Sequence, residues 1–216
     1  PMAWTAQDCA ILLDTLAGYD PADLASVPGP GGSYARGLDT PLKGLRVGLL
    51  RRFYEHDVPG SPEVLQMMTR AASTLRGLGC RVEEAALPSV QEFNAVGRVI
   101  ICAEAYALHE ATLKARLPDF SRVFRVRVLA GALIRAADYI AAQRRRTDLM
   151  AETARTFERF DVLIAPPTAG AAPLLTEQRP DDGFSRPLLT TVANVAAIPS
   201  LVVCGGFTAT GLPLGL

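Results

Sequence analysis

The sequence predicts an α/β fold, and three observations carry that expectation. An apolar run at residues 45–50, a capped helical stretch from Ser61 and a third run at residues 80–84 follow one another in that order. Strand, helix and strand within about forty residues is the pattern of a βαβ unit. Long helical patterns then lead to a short apolar run at residues 161–165, stopped by Pro166 and Pro167. The chain is 49% hydrophobic and 20% charged, which suffices for a buried core.

In chain order, Thr5 reads as a helix N-cap with Asp8 three residues on. Ala10, Ile11, Leu13 and Leu16 follow at helical spacing, and Gly18 is expected to end that helix. Residues 19–44 are rich in Gly, Pro, Asp and Ser and read as loop. Residues 45–50 read as a buried strand. Ser61 caps the next helix, with Pro62 at its first position. Val64, Met68, Ala71, Leu75 and Leu78 form one face of it, and Gly79 suits its C-terminal turn. Residues 80–84 are the second strand, and residues 89–115 a long helix. Between 120 and 128, Phe124, Val126 and Val128 alternate with Arg125 and Arg127 in imitation of a strand; with the Ala- and Arg-rich stretch from 133 to 160 the whole reads as helical. After the strand at 161–165 come a polar loop over 168–184, a helix over 186–197, a strand over 200–204 and a last strand from Leu212.

The charge pattern excludes several functions. Twenty-two basic and 22 acidic residues cancel, so the basic excess of a nucleic-acid surface is missing. Cys9, Cys80, Cys102 and Cys204 form neither CxxC pairs nor a Cys/His cluster, so they read as reduced thiols and no metal site is expected. No run of about eighteen apolar residues and no secretion leader is seen, so a soluble, cytoplasmic protein is expected.

Candidate chemistry is sparse. His56 lies in a charged loop and His109 on a helix, and no G-x-S-x-G elbow accompanies them. The glycine-rich stretch 29–33 lacks the Lys and Ser/Thr of a phosphate loop. Ser33 stands among glycines, but nothing in the sequence supplies it with a base. Arg144, Arg145 and Arg146 point three ways around a helix and read as a solvated face with one or two acidic partners. Arg127 stands among apolar neighbours, and a guanidinium there must find partners. Either an internal carboxylate such as Glu104 or Asp138 supplies them, or the side chain faces a substrate pocket.

Several stretches taken together resemble the amidase-signature family. Residues 1–10 resemble its G-P-M-A-R-T-V-x-D-A segment, and Ala17 to Pro21 the turn after the helix that follows. Ala103, Glu104, Ala105 and His109 resemble its E-A-x-x-x-H helix, and residues 138–144 another signature helix. Asp161 to Thr168 resembles D-V-L-x-x-P-T, Thr191 to Pro199 resembles T-x-x-N-x-x-G-x-P, and Gly205 to Gly215 its closing glycine-rich strands. Ala197, Val192 and Trp4 depart from the pattern, standing where glycine, proline and arginine are usual.

The resemblance implies the C-terminal part of an α/β/α sandwich with a mixed sheet flanked by helices. It implies hydrolysis of a carboxylic amide by a serine nucleophile, a second serine in a cis peptide and a lysine, with backbone N–H groups stabilising the oxyanion. Those residues precede the segment matched by residue 1, so no catalytic residue, cofactor or metal is expected within residues 1–216, and the 216-residue segment alone is expected to be inactive. Both ends fall inside motifs, and a domain seldom stops partway along a strand. The expectation is therefore a partial domain, residues 1–216, truncated at both ends. Its partners are then a small-molecule amide and the remainder of the parent chain. Neither nucleic acid nor membrane is expected, and a homodimer is compatible. Arg127, Thr190, Thr191 and Asn194 are the substrate-binding candidates. Two other functions stay open: the glutaminase subunit of a glutamyl/aspartyl-tRNA amidotransferase, and a non-catalytic scaffold or binding module. An aspartate just before the T-x-x-N helix would favour the former; Asp181 and Asp182 stand further back, and residues 186–189 are Arg, Pro, Leu and Leu.

Overall fold

The computed structural model describes residues 1–29, 33–177 and 187–216, which divide into two units, Pro1–Lys43 and Gly44–Leu216. Gly31, Asp181, Asp182 and Arg186 lie outside the described residues, as does much of the polar loop.

In the first unit, helix α1 (Ala6–Leu16) begins with the predicted capping box. The N–H of Asp8 donates to Thr5 Oγ1 at 3.1 Å, and the N–H of Thr5 donates to Asp8 Oδ2 at 3.1 Å. Two otherwise orphaned N–H groups are thus satisfied by local residues alone. The helix stops at Leu16, and Ala17 is already extended, one residue before the expected Gly18. The Asp14 carboxylate then collects Ser33 Oγ, at 2.6 Å, and the N–H groups of Tyr34 and Ala35. Those bonds, the Ser33 hydroxyl first, hold its pKa below the ordinary carboxylate range. Among the described residues of this unit, Ala10 alone is buried. Ile11 and Leu16 are exposed and Leu13 is half-buried, so the predicted apolar stripe is only partly covered.

The second unit is built on three parallel strands, β1 (Arg46–Leu49), β2 (Arg81–Glu84) and β3 (Val162–Ile164), in the order β2-β1-β3. Val47 pairs with Val82 on one side and Val162 on the other. Helix α2 (Pro62–Gly77) makes the β1–β2 crossover, capped by Ser61 Oγ, which accepts the N–H of Val64. Gly79 closes its end at φ +88°, in the left-handed region where glycine is at ease. Helices α3 (Val90–Arg116), α4 (Arg122–Val128) and α5 (Ala136–Phe157) carry the chain to β3. Ser121 Oγ caps α4, which settles the ambiguous stretch as helix.

Side chains alternate across a strand, so Gly48 and Leu49 face opposite layers. On the Gly48 side pack Phe53, Val90, Phe93, Val96, Leu149 and Phe160, with Val192 and Val195 of α6 (Thr191–Ala196). That side admits no side chain at 48: a Cβ would stand 2.6 Å from Leu163 Cδ2 and 2.7 Å from the Ala85 Cβ. On the other side Leu49 meets Tyr54, Val64, Met67, Met68, Ala72 and Leu214. The result is helix, sheet, helix.

Strands β4 (Cys204–Phe207) and β5 (Pro213–Gly215) form a separate antiparallel pair. The expected strand over 200–204 is displaced toward the C-terminus. Val203 exchanges two backbone bonds with Leu216, at 3.0 and 2.9 Å, and the ladder runs on from there through a register shift between Cys204 and Gly206. The apolar residues Leu201 and Val202 imitate a strand but lie before the paired segment and are exposed. Helix α6 is likewise shorter than the expected 186–197.

Candidate functional site

The residues predicted to face substrate fall on two helices that both lean on α3. Thr191 opens α6 and Thr190 precedes it; Thr190 and Asn194 are exposed and Thr191 is half-buried. α6 presses on α3 at Gly97, where a Cβ would meet Thr191 Cγ2 and Val195 Cγ2 at 3.0 Å. Arg127 lies half-buried on α4, and the turn after α4 presses Gly131 against Cys102 and Tyr106 of the same α3. The two contact points are separated by five to nine residues of α3, about 8–14 Å along its axis.

What holds the start of α6 is a residue that the sequence reading passed over. Asn94, on α3 and 3% exposed, uses both ends of its amide. Nδ2 donates to the carbonyls of Val90, at 2.8 Å, and Leu188, at 2.9 Å. Oδ1 accepts the N–H of Leu188 at 2.8 Å and the hydroxyl of Thr191 at 3.3 Å. The other end of α6 is held by Arg146, whose Nε donates to the carbonyl of Val195 at 3.1 Å. The signal for Asn94 was present: an amide between Val90 and Gly97 on an apolar helix face demands partners.

The neighbouring polar groups are engaged. Glu104 accepts from Tyr139 Oη at 2.7 Å and Gln143 Nε2 at 3.3 Å. Asp138 is bridged by Arg135 at 2.8 Å. In the arginine triplet, Arg145 reaches Glu92 and Glu152 while Arg146 turns to α6, so consecutive residues diverge as expected. His109 packs edge-on against Phe120 and Phe124, ring centroids 5.9 and 5.3 Å away, which is a packing role. His56 is exposed. Burial pushes the Cys102 thiol up, away from nucleophilic chemistry. Among the described residues, no three His, Cys, Asp or Glu side chains gather to hold a metal, and no helix is long and apolar enough to cross a membrane.

The comparison with known proteins decides the family. A sequence model described as Amidase matches residues 1–216, the whole chain. The chain belongs to the amidase family. Among curated amidase-family relatives, a glutamyl-tRNA(Gln) amidotransferase subunit from Neisseria meningitidis serogroup A is 30% identical over 241 residues, covering 100% of this chain and 50% of its own length. An amidase of Pseudomonas putida is 33% identical over 220 residues, covering 98% of this chain and 47% of its own. Among solved structures, a vestigial protein complex that bears on the origins of an s-triazine catabolic enzyme aligns with a TM-score of 0.82 at 26% identity, over 97% of this chain and 46% of the other. The chain thus spans about half the length of the curated amidase-family relatives it matches.

Proposed function

We propose that the protein carrying this chain hydrolyses a carboxylic amide C–N bond of a small molecule in the cytoplasm. On this reading residues 1–216 are the C-terminal part of a larger catalytic domain. A serine, a bridging serine and a lysine upstream supply the chemistry. The present residues build core and one wall of the substrate pocket, with Arg127, Thr190, Thr191 and Asn194 as its polar contacts. The amidase-family match over every residue of the chain carries the proposal. The test is ammonia release from a panel of small primary amides by the full-length gene product. Activity is expected, and replacing the upstream lysine or either serine abolishes it. A full-length product without those residues overturns the reading.

The Neisseria relative favours a second reading, the glutaminase subunit of a tRNA-dependent amidotransferase. We rank it lower, because the residues just before Thr190 are apolar: Leu189 is buried, and the backbone of Leu188 is clamped by Asn94. Among the described residues just before Thr190, Pro187 to Leu189, none carries a carboxylate to receive glutamine. Glutamine turnover well above that of simple amides reverses the ranking.

A further inference from the structure

A concavity lies apart from the α6 residues. The stretch after β1, the connection from β2 to α3 and the C-terminal half of α5 enclose a cleft of about 660 Å³. Its walls carry Arg52, Arg145, Arg155 and Arg159 against the carboxylates Glu92 and Glu152. Both carboxylates are engaged by one arginine, Arg145, whose Nε donates to Glu92 at 2.6 Å and Nη1 to Glu152 at 2.8 Å.

The other three guanidiniums are loosely held. Arg52 reaches Asp57 through Nε at 3.1 Å, and Asp57 is turned inward to receive the N–H of Val90. Arg159 lies over the ring of Phe160, 5.3 Å from its centroid, with Glu83 3.8 Å away. Arg155 is exposed, and no acid among the described residues pairs with it. Leu87, Pro88 and Phe160 line the same cleft with apolar surface. The volume falls within the roughly 300–1,000 Å³ of small-molecule sites, and planar guanidinium forks match the oxygens of phosphate or carboxylate groups.

We propose that this cleft binds a small oxyanion with an apolar body, of the phosphate-monoester class, through Arg52, Arg155 and Arg159. Glu92 and Glu152 keep Arg145 fixed as a wall rather than a ligand, so the anion seats among the other three. The proposal stands independently of the amide chemistry.

The test is calorimetric titration of phenyl phosphate into the full-length gene product at low salt. Saturable one-to-one binding is expected, weakened at least tenfold in R155Q/R159Q and at least threefold in the single R155Q variant. R116Q, which removes an arginine paired with Asp119 outside the cleft, is expected to bind as the parent does. Inorganic phosphate is expected to bind at least threefold more weakly than phenyl phosphate. No saturable binding, unchanged binding in R155Q and R155Q/R159Q, or equal weakening in R116Q overturns the site. Equal affinity for inorganic phosphate overturns the apolar part of the assignment.

Discussion

The amide of Asn94 pairs with the backbone of Leu188 as one strand residue pairs with another, donating to its carbonyl at 2.9 Å and accepting its N–H at 2.8 Å. Two stretches 94 positions apart are thereby joined, the Asn94 end buried and the Leu188 end half exposed. Removing the side chain takes both partners from the part-buried Leu188 N–H and carbonyl, at about 0.5–1.5 kcal/mol for each lost bond. Asn94→Leu is therefore expected to lower stability by about 1–3 kcal/mol, read from denaturant midpoints. Asn94→Asp keeps the acceptor but places a carboxylate in the core, and its deficit is expected to grow as pH rises above about 4.

Asp161 offers a pH-dependent prediction. Its carboxylate is held at about 2, below the ordinary 3.8, first by the Arg46 side chain and then by the Arg46 N–H. The folded state thus binds this proton more weakly than the unfolded state does. The contribution is complete above pH 3.8 and is lost as pH falls toward 2. Asp161→Asn is expected to flatten the fall in stability across that window, measured by chemical denaturation from about pH 5 down to about pH 2. Since Asp14 and Asp138 are also held low, part of the slope survives the substitution. A slope that is unchanged in the variant refutes the assignment to Asp161.

Ala197 closes α6 at φ 55°, ψ 42°. It stands where the family motif usually has glycine, and the left-handed backbone supplies the reason. A side chain there costs roughly 1–2 kcal/mol, partly offset by the greater freedom of an unfolded glycine. Ala197→Gly is expected to stabilise the protein by about 0.5–1 kcal/mol, and Ala197→Val to destabilise it. Thermal melts of the two variants should move in opposite directions.

These contrasts show what was legible in the sequence. The capped starts at Thr5 and Ser61, the parallel strands and the long helices rest on spacings within one element, and they are found where expected. The start of β4 was misplaced because pairing with Leu216, not the apolar run from Leu201 to Val203, sets where the ladder begins. The clamp on α6 was missed for a similar reason. Asn94 showed a need for partners, but Leu188 and Thr191 became those partners only through the packing of α6 on Gly97. Motif order pointed to Thr190, Thr191 and Asn194, yet it could not separate a hydroxyl turned inward from one facing water.

Gly131 tests the packing behind Arg127. A Cβ at 131 would stand 2.1 Å from the carbonyl oxygen of Cys102 and 2.6 Å from the Tyr106 Cβ. Backbone cannot yield as a flexible side-chain tip can. Gly131→Ala is expected to push the turn after α4 off α3 at a loss of about 1–3 kcal/mol. Denaturant unfolding would expose the deficit, and wild-type stability in the variant would refute the close approach.

Thr190 and Thr191 separate pocket from scaffold. The Thr191 hydroxyl donates inward to Asn94 at 3.3 Å, while Thr190 is exposed. Thr191→Val keeps the Cγ2 contact at Gly97 and loses one hydrogen bond, so a stability loss of about 1 kcal/mol is expected. Thr190→Val touches no such bond and is expected to stay within about 0.5 kcal/mol of the parent. If Thr190 meets substrate, as proposed, its replacement raises KM in the full-length enzyme by about threefold to tenfold, the effect of one lost hydrogen bond. Melting and steady-state kinetics on the same two variants then give opposite patterns: Thr191→Val shifts the melt, and Thr190→Val shifts KM. A normal KM in Thr190→Val removes that residue from the pocket wall.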